Sequence, residues 1–256
     1  MPTNPGLEIV SGAALFLPDC AELIMPATLG DGLETLLMLG WGLDYAERNY
    51  ARGKPDVAIV GTPVAHDGYL SLKSSVNYLR EPVNDTGGAV TLGFIARDTD
   101  TQADNAHRFF FGGSFSTASA DTTGASIFTN ADDSATFTVR YTNGTGVSRN
   151  PAVSVPQGQF RAIFGSTSGT GADGSAEDDP LISELRGNLS ATQSLAAGYS
   201  RVGSGLPWTI GSAPVTPFQG TGDMAIAARW SRDLSEAEKA AFWTWAQACL
   251  AEFGIL

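Results

Sequence analysis

The sequence predicts an all-β fold: an antiparallel β-sandwich closed by one amphipathic helix at its C-terminal end. Three observations predict it. Short apolar or alternating runs recur along the 256 residues, separated by turn residues, which is the pattern of strands rather than of helices. The composition holds 30 Gly and 13 Pro with abundant Ser and Thr, enough punctuation for many short strands. No helical pattern interrupts the runs before "WSRDLSEAEKAAFWTWAQ" at Trp230, so the alternating helices of a parallel α/β sheet are missing.

Taken in order, residues 1–32 read as an N-terminal arm or extra strands, and residues 33–256 as one domain. Pro18 and Pro26 break "AALFLPDCAELIMPA", because proline lacks the N–H a ladder needs. The apolar run from Leu36 to Asp44 ends in "WGLD", and "PDVAIVGTP" is β-branched and bounded by Pro and Gly. "GYLSLKSSVNYL" reads as one half-buried strand, with Leu70, Leu72, Val76 and Tyr78 to one side and Tyr69, Ser71, Lys73 and Ser75 to the other. "AVTLGFIAR" and "RFFFGGSF" follow, the second bent at its Gly pair. "ASIFTN" and "ATFTVRYTNG" flank Asp132 and Asp133 as a hairpin, and "TNGTG" is a further turn. "GQFRAIFG" runs into "STSGTGADGSAEDDP", which reads as an exposed, mobile loop. "LISELRGN" and "GDMAIAARW" complete the β part.

The final helix carries its own signals. Ser235 and Glu238 form S-x-x-E, in which each side chain covers the other residue's backbone N–H. Phe242, Trp245, Cys249 and Phe253 share one face, and Gly254 stands where helices commonly stop. The aromatic stripe is read as core, so the helix clasps the body of the sandwich.

Charge narrows the function. The net charge is -12, with lysine only at Lys54, Lys73 and Lys239. Such a surface repels nucleic acid and anionic lipid. "ETLLMLGWGL" is the most apolar stretch and is too short to span a bilayer. Two cysteines, Cys20 and Cys249, make no disulfide framework, and Cys249 is expected as a buried thiol. No basic segment followed by a long apolar run opens the chain, so no secretory signal is read.

The ending "FQGTGDMAIAARWSRDLSEAEKAAFWTWAQACLAEFGI" resembles that of concanavalin A-like, laminin-G-like jelly-roll domains. There an apolar strand runs into an R-x-Leu-Ser-x-x-Glu turn and a terminal helix. "WGLD" at Trp41–Asp44 resembles the first core strand of that family, "DGYLSLKS" a later one, and "AVTLGFIARD" the next. The set "VGTP…GYLSLKSSVNYL…VTLGFIAR" is also similar to such domains in tailed-phage and prophage virion proteins. The resemblance implies two packed antiparallel sheets, glycan binding in many members and calcium in the end loops of some.

Catalytic signatures of that family are missing from the sequence. Its glucanase-like members carry carboxylates as E-x-D-x-E or E-x-D-x-x-E on one strand, and neither spacing occurs. "ISELRG" resembles the R-x-E-L-R element of alginate-lyase members, but Ile182 replaces the first Arg and no Q-x-H accompanies it; Glu184 and Arg186 are read as a surface pair. Zinc spacing is missing too. Calcium is the one metal with candidate ligands: "DTDTQADN" places Asp98, Asp100, Asp104 and Asn105 in one loop, without the Gly and Glu of an EF-hand. The plainer reading is a solvated acidic turn. For stacking on a sugar, Tyr69 on the polar side of its strand and Trp208 in "GLPWTIG", read as loop or edge strand, are the candidates; the plainer reading of each is rim packing.

The sequence therefore points to a non-enzymatic glycan- or receptor-binding module, expected in a phage or prophage virion tail assembled in host cytoplasm. A purely structural virion protein is the alternative, and a glycan hydrolase or lyase the one disfavoured. The partners expected are a cell-surface glycan or other virion proteins, not nucleic acid or membrane. The apolar arm suggests a homo-oligomer, a trimer being the form considered.

Overall fold

The computed structural model describes residues 25–116 and 123–255. They form two antiparallel sheets packed face to face, the predicted sandwich. One sheet runs, edge to edge, Leu189–Thr192, Leu181–Glu184, Arg161–Thr167, Val90–Asp98, Thr221–Trp230, Tyr69–Lys73 and Val64–His66. Leu33–Met38 joins it beside the C-terminal half of Thr221–Trp230. The second sheet runs Thr170–Gly171, Tyr199–Arg201, Ser134–Thr142, Ala125–Thr129, Phe110–Gly113, Pro207–Ile210, Tyr78–Asn84 and Ala58–Val60. Gly146–Arg149 and Ala152–Ser154 also pair with Ser134–Thr142.

Period-2 patterning builds the core between the sheets. Along Ser134–Thr142, Ala135, Phe137, Val139 and Tyr141 are buried in it, while Ser, Thr and Arg take the alternate places. Along Val90–Asp98 both sides are apolar. Val90, Leu92, Phe94 and Ala96 face the second sheet, and Ile95 joins another core on the outer side.

That outer core explains the helix, Glu236–Glu252. Phe242, Trp245, Ala246, Cys249 and Leu250 are buried on Ile95, Phe164, Ala225, Ile226 and Trp230. Phe242 meets Phe164 edge-on at 5.6 Å and Trp230 at 5.4 Å between ring centroids. The capping box is in place: Ser235 N–H donates to Glu238 Oε2 at 2.9 Å, and Glu238 N–H donates to Ser235 Oγ at 3.3 Å. Hydrogen bonds from Arg232, helped by Ser235, pull the Glu238 carboxyl down to about 2. Met25 and Leu29 are buried in the same core, and Trp230 Nε1 donates to the Leu29 carbonyl at 2.8 Å.

Three sequence expectations are corrected. "GYLSLKSSVNYL" is not one strand: Tyr69–Lys73 belongs to the helix-bearing sheet and Tyr78–Asn84 to the second. A turn divides them, with Ser75 at φ +65° and Val76 46% exposed, and the alternation continues across it by coincidence of phase. "WGLD" is not a strand either. The strand Leu33–Met38 ends before it, and Gly42, at φ +90°, leads into a single helical turn, Leu43–Ala46. Nor is "STSGTGADGSAEDDP" exposed throughout: Ser166, Thr167 and Gly171 are buried, and it contains the strand Thr170–Gly171 and a 3₁₀ turn, Ala176–Asp178. Residues 1–24, with Cys20 and nearly all of "ALFLPDCAELIM", lie outside the described residues. Among those described, no helix is long and apolar enough to cross a membrane.

Candidate functional site

The two aromatics singled out from the sequence fall on different sheets and in different cores, Tyr69 on the helix-bearing sheet and Trp208 on the second. Tyr69 is half-buried on the outer face. The register aligns Ser71, Asp223 and Arg97 in one row beside it. Asp223 accepts from Arg97 Nε at 2.7 Å and from Ser71 Oγ at 2.5 Å. The Arg97 guanidinium lies 5.0 Å from the Tyr69 ring centre and 4.7 Å from that of Phe160, and His66 stacks on Tyr69 at 4.8 Å. The Tyr69 ring is thus engaged by its own neighbours, and a sugar would have to displace one of them to stack on it.

Trp208 lies on the inner side and is 4% exposed. It is neither in a loop nor on an edge: Pro207–Ile210 is paired on both sides, by Tyr78–Asn84 and Phe110–Gly113. Pro207 begins that strand, a position at which its missing N–H is tolerated.

Beside Trp208 a cleft of about 190 Å³ opens between the sheets, lined among others by Glu34, Val83, Asn84, Asp85, Arg201 and Arg229. Its charged groups are paired. Arg201 grips Asp85 through Nη1 at 2.9 Å and Nη2 at 2.5 Å, and its Nε donates to the Gly88 carbonyl. Ser114 Oγ and Gly87 N–H also donate to Asp85. Burial alone would raise the Asp85 carboxyl; Arg201, with Ser114 and Gly87, outweighs it and holds the group below the usual range. Arg229 reaches from one sheet to Glu81 on the other, its Nη2 at 2.6 Å from Oε2, and its guanidinium carbon lies 4.9 Å from the Trp208 ring centre. At the rim Glu34 pairs with Lys54 at 2.7 Å. Behind the cleft, Trp208 and Arg229 also line a hollow of about 10 Å³ beside Thr35, whose Oγ1 has no protein partner.

The fold gives the four residues of the candidate calcium loop different surroundings. Asp98 is 1% exposed and turned inward; its Oδ1 accepts from Asp100 N–H and its Oδ2 has no partner. Asp100 Oδ2 accepts from Thr221 N–H. Asp104 is exposed, caps a 3₁₀ turn through Ala106 N–H and pairs with His107 at 2.8 Å. Asn105 accepts from Arg108. The four side chains do not converge, and among the described residues no three His, Cys, Asp or Glu side chains are gathered as a metal would need. Glu184 is corrected as well: it is fully buried and pairs with Arg161 at 3.1 Å, not with Arg186, whose backbone N–H it accepts instead.

The cleft residues carry no local signal. Asp85 and Arg201 are 116 positions apart, and Glu81 and Arg229 are 148 apart. The one hint is Arg229 after the apolar run Met224–Ala228 in "GDMAIAARW".

No family model matches the chain, and no curated protein matches it. Solved structures do match. The receptor-binding domain of botulinum neurotoxin D is similar with a TM-score of 0.58 at 9% identity, over 86% of this chain and 53% of that one. The binding domain of Paraclostridial Mosquitocidal Protein 1 gives 0.59 at 11% identity, over 86% and 53%. The binding domain of botulinum neurotoxin DC, solved in complex with SialylT, gives 0.57 at 12% identity, over 85% and 52%. This chain spans about half the length of those domains, and at such identities the likeness is one of fold.

Proposed function

We propose that this chain is a non-enzymatic binding module that recognises a glycan or a glycan-bearing receptor. The observation that carries the reading is the inter-sheet cleft, whose carboxylates are each locked on a cation. Asp85 on Arg201 and Glu34 on Lys54 in the cleft, and Glu81 on Arg229 in the hollow behind it, are not available as the separated acid and base of glycoside hydrolysis. Fold likeness to receptor-binding domains, one of them solved with SialylT, is consistent with the reading and does not by itself assign a function. Within it, a place in a virion tail and a trimeric assembly rest on the sequence resemblance and the apolar arm alone. Immunogold labelling of particles and light scattering of the full chain test these two. The central test is a glycan array run with and without a chelator. Binding that survives the chelator is the expected outcome, because the acidic loop does not converge on a metal. Turnover of any arrayed glycan would refute the non-enzymatic reading.

A further inference from the structure

We infer that the inter-sheet cleft takes one neutral sugar ring and discriminates against acidic sugars; the inference rests on the binding-module reading and names its ligand and site. Three features lead to it. The first is size. At about 190 Å³ the cleft is smaller than the ~300–1,000 Å³ of sites for drug-sized ligands, so its occupant has one ring.

The second is charge. The two carboxylates that line the cleft, Glu34 and Asp85, are paired with Lys54 and Arg201, and its other cation, Arg229, is neutralised from behind by Glu81, which lines the adjoining hollow. A carboxylate or sulfate on the ligand would lose its hydration and find no uncompensated cation in return. Glu34–Lys54 is a rim pair, but Asp85–Arg201 and Glu81–Arg229 are buried, and ion pairs buried this deeply are rarely the most stable choice for a core. Their place around a cleft is where a departure from plain packing is expected to serve function.

The third is the pattern of polar and apolar groups. Arg229 spends Nε and Nη2 on Glu81, which leaves Nη1 to donate. The exposed Asn84 amide, which both donates and accepts, stands at the mouth. Val83, Ala89 and Trp208 supply an apolar wall for the C–H face of a ring. Vicinal hydroxyls over an apolar face are the chemistry of a neutral pyranose, free or as the last residue of a glycan.

The test is calorimetry on the full chain with methyl glucoside, methyl galactoside and methyl N-acetylglucosaminide against sialyllactose, repeated with array glycans that end in the same residues. Val83 is 41% exposed, so Val83→Trp blocks the mouth without touching the core, and an unchanged melting temperature verifies the fold. The expected result is binding of at least one neutral glycoside or neutral-ended glycan, with sialyllactose no tighter, and a loss of roughly tenfold or more in Val83→Trp. Binding to the free glycoside assigns the ring itself, and binding only to the array glycan assigns it as a chain end. Preference for sialyllactose overturns the neutral assignment. Neutral-sugar binding that Val83→Trp leaves intact overturns the cleft while the binding-module reading stands. Silence with every free and arrayed glycan overturns both.

Discussion

Asp98 shows what a single buried carboxylate does to this fold. Burial pushes it up to about 6, against the Asp100 N–H and the nearby Gln102 and Thr129. Both polar atoms of the Gln102 amide are buried without partners. The folded state therefore binds the Asp98 proton more tightly than the unfolded chain does. Stability is greatest below the ordinary Asp value, falls as pH rises through about 6, and carries the full penalty at neutrality. Asp98→Asn is expected to stabilise the protein at pH 7 by on the order of 2–3 kcal/mol and hardly at all at pH 4, as read from urea unfolding at both values. An equal effect at the two values would contradict it. Asp85 works in the opposite sense: held low by Arg201, it adds stability above its unfolded value and loses it as pH falls through its folded one. Neither behaviour was legible in the sequence, where Asp98 was one of three aspartates grouped with Asn105 in one loop. Its burial depends on where Val90–Asp98 ends beneath the second sheet.

At the scale of elements, the C-terminal helix was the most legible part of the molecule. Its cap, its stripe and its stop are all local: Ser235 and Glu238 are three apart, and a 3.6-residue period needs no partner to be seen. Phe242 is fully buried and Trp245 is 5% exposed. Phe242→Ala and Trp245→Ala should each cost about 3–5 kcal/mol in chemical denaturation, and wild-type unfolding of either would mean the helix is not a clasp. "GYLSLKSSVNYL" shows the limit. Alternation reports which side of a strand is buried, but not which sheet the strand belongs to. The tight turn at Ser74–Asn77, closed by the Lys73 N–H to Asn77 carbonyl bond at 2.8 Å, sends one apparent strand into both layers.

At the scale of the whole molecule, the sheets are tied by polar as well as apolar contacts, because Glu81 on one sheet meets Arg229 on the other. Arg229→Met alone strands a buried carboxylate and should cost about 3–5 kcal/mol. Adding Glu81→Met should recover most of that loss, since an apolar pair of similar volume packs at least as well. A double-mutant cycle on melting and on sugar binding separates the two roles. Restored stability with lost binding is the expected combination, and unrestored stability would assign the pair to holding the sandwich together. The arm is tied in at this scale too. A chain beginning at Asp31 lacks Met25, Leu29 and the carbonyl that Trp230 Nε1 uses, and it should melt at a lower temperature. Partnerships of this kind span the length of the chain and are invisible to local pattern, which is why the fold class was readable and the cleft was not.

Thr221–Trp230 has Val90–Asp98 on one side and Leu33–Met38 with Tyr69–Lys73 on the other. The middle of the sheet is therefore the last strand to leave the ribosome. Until it emerges, its neighbours flank an empty slot, and their unpaired edges are open to pairing with other nascent chains. Such non-local closure makes folding slow, on the order of milliseconds to seconds. Ribosome-bound chains arrested before Thr221 should be digested readily by protease, and protection should appear in one step once Trp230 and the helix behind it are free.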